Sequence, residues 1–133
     1  MASLEALPDD VLREILSLTQ ANSKLALRES ATNNFMPFAH HVYENFIEGA
    51  HHRIIAEKLE QVAQGKLKRL IINMPPRHSK SEFASFLMPA WFLGRNPKLK
   101  IIQATHNTEL AVRFGRKVRD MIDDPAYKEI FPD

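Results

Sequence analysis

The chain has 133 residues, 44% of them apolar, with a formal net charge of +2 and no cysteine. This size supports one modest core, the missing cysteines exclude a disulfide framework or thiolate zinc site, and the small excess of bases is only weak evidence for a nucleic-acid partner. No apolar run approaches the roughly 20 residues of a bilayer span, and the acidic start MASLEALPDD is unlike a secretory leader, so a soluble, intracellular protein is expected.

In chain order, LEALPDDVLREILSLTQ places Leu7, Val11, Ile15 and Leu18 at helical spacing, with Pro8, Asp9 and Asp10 suited to a first turn. A short amphipathic helix is expected there. The next stretch, ANSKLALRESATNNFMPFAHH, is polar at both ends and broken by Pro37, which suggests a hinge or an extended approach. Residues 1–35 are read as a helical appendage to a domain over 36–133. Ile54, Ile55, Leu59 and Val62 then repeat at the helical period, and Gly65 sits where a helix stop belongs.

The period changes at RLIIN, residues 69–73, a short β-branched run of the kind found in buried parallel strands. A loop, MPPRHSKSE, follows directly. Beyond it Phe83, Phe86, Leu87 and Ala90 form a helical stripe, Pro89 is expected to kink that helix and Gly94 to close it. KIIQAT, residues 100–105, offers a second strand, and Asn107 can cap a helix carrying Leu110, Phe114, Val118 and Met121 on one face up to Pro125. The fold expected from this order is α/β, an incomplete P-loop NTPase with one right-handed βαβ crossover, preceded by helices.

The loop ends in the Lys-Ser of a Walker A motif but has no glycine, since Met74 and Ser79 stand at the two glycine positions. Glycine serves there by accepting positive φ and letting amides approach phosphates closely. Here Pro75 and Pro76 stiffen the entrance and remove two donors, so an anion nest must use amides from Arg77 onward, with Ser79 small enough for the remaining tight position. Lys80 would bring a point charge to the β- and γ-phosphates of ATP, Ser81 a hydroxyl for Mg²⁺, and Arg77 a donor fork. The competing reading is a Pro-Pro turn with solvated basic residues before an ordinary helix.

Residues 35–133, above all RLIINMPPRHSKSE with HHRII upstream and PAWFLGRNP and THNTELA downstream, resemble the start of the ATPase domain of the large terminase subunit, the DNA-packaging motor of tailed bacteriophages. That family commonly writes the loop Pro-Pro-Arg-His-Gly-Lys-Ser, and this chain departs from it at Ser79. The resemblance implies nucleotide binding by Pro76, Arg77, His78, Ser79, Lys80 and Ser81, with ATP and Mg²⁺ as cofactors and Ser81 holding the metal through the nucleotide. It makes Arg77 the candidate catalytic sensor of the γ-phosphate and places His51 and His52 near the adenine. It implies double-stranded DNA, a portal, a small terminase subunit and further copies of the chain as partners, in the host cytoplasm. Arg113, Arg116 and Lys117 on the last helix are candidate DNA contacts, though a solvated helix face is the simpler reading.

Neither the aspartate that orders Mg²⁺ nor the glutamate that activates water follows on a further strand, and no nuclease carboxylate cluster is present, so the chain reads as an incomplete, non-hydrolysing part of such a motor. The alternative function is a non-catalytic helical adaptor, because LPDDVLREILSL resembles the opening of an F-box. The pairs His40, His41 and His51, His52 lack a carboxylate or cysteine at ligand spacing and read as surface or packing residues.

Overall fold

A computed structural model describes residues 8–132. Leu7, expected at the start of the first helix, lies outside them. The elements are α1 (Asp9–Asn33), α2 (Phe35–Val42), α3 (Ala50–Ala63), α4 (Lys80–Glu82), a π-helical turn (Phe83–Leu87), α5 (Met88–Arg95), α6 (Thr108–Asp123) and α7 (Pro125–Ile130). Among the described residues no helix is long and apolar enough to cross a membrane.

The expected polar hinge is helical instead. α1 runs on to Asn33, and the chain breaks only at Asn34, which is extended at φ −125° and ψ 136°. Pro37 lies in the first turn of α2, where a missing N–H costs nothing because first-turn amides have no helical acceptor. The first of those amides, Phe35 N–H, donates to Glu60 Oε1 of α3 at 2.7 Å. Gly65 does stop α3: at φ 72° it lets its own amide reach Val62 O and the Lys66 amide reach Gln61 O, closing a Schellman motif.

One aromatic core joins the helices. Phe35 meets Phe83 and Trp91 edge-on at 5.4 and 5.5 Å, and Trp91 Nε1 donates to Ala31 O at 2.9 Å, tying the end of α1 to α5. α7, which the sequence reading lacked, closes the core with Tyr127 and Ile130. Asp124 Oδ1 caps it through Ala126 N–H, Pro125 follows at its first position, and Tyr127 Oη donates to Ala90 O at 2.9 Å. Gly94 lies inside α5 and does not close it. A Cβ there would stand 2.5 Å from Phe131, so its role is close packing against the end of the chain.

The expected βαβ unit is absent. The described residues contain no strand, and the fold is helical, not α/β. Residues 69–74 and 100–105 are extended with the alternation of strands: Leu70, Ile72 and Met74 pack on the core, while Ile71 is 86% exposed. In the second run Gln103 and Thr105 turn inward and Ile102 is 96% exposed. No backbone hydrogen bond joins the two runs. Alternation records which face meets the helices, whereas a strand also needs a ladder partner, and these two segments do not supply one to each other.

Candidate functional site

The loop and the helical run 80–95 depend on Pro89. With no N–H, Pro89 cannot bond to Ser85 O, and the preceding turn widens until Met88 N–H donates to Phe83 O. Ser85 O, left free, accepts from Gln103 Nε2 at 2.9 Å, which pins the second extended segment against the helix. Phe83, fully buried, fixes the first turn of the same run in the core. The residues before it are thereby held at the surface.

Between Pro76 and Lys80 two non-glycine residues take positive φ, Arg77 at 65° and Ser79 at 59°. Ser79, with ψ 12°, is in the left-handed region at the position immediately before the helix. That is the conformation glycine adopts without cost, and it is the position where the standard loop carries glycine. Ser79 makes no side-chain cap, but its carbonyl accepts the first helical bond, from Phe83 N–H at 2.9 Å. The amides of Lys80, Ser81 and Glu82 therefore have no intrahelical acceptor. Arg77, Lys80 and Ser81 are exposed, and their side chains form no hydrogen bond or ion pair among the described residues. These residues fit a phosphate group: a left-handed turn, free amides, two cations and a hydroxyl converge in one short segment.

His78, expected among the nucleotide-binding residues, turns back on its own loop, donating from Nδ1 to Pro76 O at 2.9 Å. Its ring lies 5.8 Å from that of His51, bringing the start of α3 beside the loop. His52 points inward. It is 5% exposed, stacks on Phe83 at 5.0 Å and accepts from Gly49 N–H through Nδ1 at 2.9 Å. Burial, followed by the neighbouring His51, lowers its pKa. Its Nε2 and that of His51 are buried with no hydrogen-bond partner. Of the two histidines expected near adenine, His51 borders the loop and His52 supports the core beneath it.

α6 begins as expected, with Asn107 Oδ1 accepting from Leu110 N–H at 2.8 Å. Arg113 and Arg116 are exposed beside a shallow cleft of about 480 Å³ that Lys117 also lines. Lys117 is committed elsewhere: its Nζ lies 3.0 and 3.1 Å from the two Glu82 oxygens and over the Phe86 ring. Glu82 escaped the sequence reading, since nothing local links it to a lysine on another helix. A concavity of about 1000 Å³ is lined by residues of α1, α5, α6 and α7, among them Arg28, Arg95 and Asp123, and by none of the loop. Comparison of the chain with family models, curated proteins and solved structures yields no match.

Proposed function

We propose that the chain binds the phosphates of MgATP through residues 76–81, as the ATP-binding part of a terminase large subunit that drives packaging of double-stranded DNA. The observation that carries the reading is Ser79 in the left-handed region directly before the helix, with Arg77, Lys80 and Ser81 free around it. Strain of this kind persists where surrounding structure holds it and collects at ligand-binding turns. The sequence resemblance to the terminase loop supplies the class of ligand.

In this reading the amides of Lys80 and Ser81 and the positive end of the helical run face the phosphate oxygens. Lys80 neutralises the β- and γ-phosphates, and Arg77 grips the γ-phosphate with its fork. Bound Mg²⁺ would add charge neutralisation, held by phosphate oxygens and the Ser81 hydroxyl. His51 and His78 flank the entry, and Arg113 and Arg116, one turn apart on α6, offer cations to a DNA backbone. Glu82, the carboxylate next to the site, is engaged by Lys117. The proposal is therefore of binding and not of hydrolysis.

A thermal-shift titration tests it. MgATP at 100 times Kd should stabilise the wild type by about 2.7 kcal/mol, and Lys80→Ala should lose that gain while melting normally without ligand. Equal stabilisation of both proteins would remove the phosphate-loop reading.

A further inference from the structure

α1 is the longest element, 25 residues, yet only its last turns are held by the core. Ala31 is buried, and Arg28 Nε donates to Ile130 O at 3.2 Å. From Arg13 to Glu29 every residue is exposed. In proteins most helical stability comes from packing an apolar face and not from propensity, so a long helix whose outer turns touch nothing calls for a partner surface. α1 has such a face: Val11, Ile15, Leu18, Asn22 and Leu25 recur at alternating spacings of four and three. In a heptad frame the leucines at 18 and 25 and Val11 take position d, while Ile15 and Asn22 take position a.

We propose that this stripe pairs with the same stripe of a second copy, forming a short parallel two-stranded coiled coil in register at Asn22. The composition selects this occupant over an unrelated groove. β-branched Ile at a with Leu at d favours two parallel strands, and one polar Asn at a, opposite its own copy, fixes register and number at a cost in stability. Of the flanking e and g positions, Leu12, Thr19, Ala21 and Ala26 are uncharged, Glu14 faces the uncharged Thr19 of the other copy, and Arg28 is held by Ile130 O, so no like charges are opposed. The acidic pair Asp9 and Asp10 falls on the outer positions b and c. The stripe ends at Glu29, where α1 enters the core. Over Val11 to Leu25 the seam is about 21 Å long, so pairing depends on concentration. The inference is independent of the phosphate loop.

The chain has no cysteine, so single cysteines report the pairing directly. Under mild oxidation of the full chain, Leu18→Cys and Asn22→Cys should each give disulfide-linked dimer, while Leu16→Cys, equally exposed at 60% against 58% for Leu18, should stay monomeric. Sedimentation at rising concentration should show reversible dimer for the wild type, monomer for Leu18→Lys with its core melting unchanged, and more dimer or larger species for Asn22→Ile. Wild type that stays monomeric throughout would overturn the proposal. So would cross-linking at Leu16→Cys as fast as at Leu18→Cys, or a dimer that Leu18→Lys leaves intact.

Discussion

At Ser79 the side chain has a backbone that an L-residue occupies at a cost of about 1–2 kcal/mol, and Arg77 repeats the strain two residues earlier. Because the Ser79 hydroxyl caps nothing, Ser79→Gly should relax the turn. Chemical denaturation is expected to show a gain of about 1 kcal/mol, and MgATP affinity should be equal or tighter. Loss of binding in that variant would instead make the hydroxyl a ligand contact. His52 sets an acid limit. Its depressed folded-state pKa means that the unfolded chain takes up a proton first, so the stability it contributes is present above about pH 6.5 and is lost as pH falls through the lower folded value. Its ring faces His51, His78 and the Glu48 carboxylate, and burial outweighs the attraction of Glu48. Melting temperature should fall below pH 6.5 in the wild type, and the fall should be smaller in His52→Phe. The Ser79 position was legible from the Lys-Ser register alone, whereas His52 was not, because nothing in the doublet His51, His52 tells which ring turns inward.

The elements divide by whether their signals are local. Asn107 before α6 and Gly65 after α3 act through their own backbone neighbours, so the sequence placed both ends correctly. The runs 69–73 and 100–105 read as strands of a βαβ unit but do not pair, because a β-branched alternating pattern reports a buried face and carries no information about the ladder partner. Pro89 was legible as a disturbance of its helix but its consequence was not: the carbonyl it frees at Ser85 is taken by Gln103, a contact between distant segments. Gln103→Ala should therefore cost about 1–2 kcal/mol in denaturant unfolding, more than substitution of the exposed Ile102 by threonine. An unchanged midpoint in Gln103→Ala would mean that the extended segment is held by packing alone.

Across the whole molecule, the aromatic core of Phe35, Phe38, Phe83 and Trp91 does two things at once. It anchors the base of α1, leaving the rest of that helix free to pair. Through Phe83 it also fixes the start of the helical run, so the strained turn at residues 77–79 is presented to solvent with its cations unpaired. Lys117 on Glu82 then ties α6, with Arg113 and Arg116, to the same turn. The most direct measurement of the central claim is amide chemical-shift mapping of the full chain during titration with MgATP. The account predicts saturable shifts led by the amides of His78, Ser79, Lys80, Ser81 and Glu82, absent in Lys80→Ala. Shifts confined to the cleft lined by Arg28, Arg95 and Asp123, or none at the loop, would contradict it.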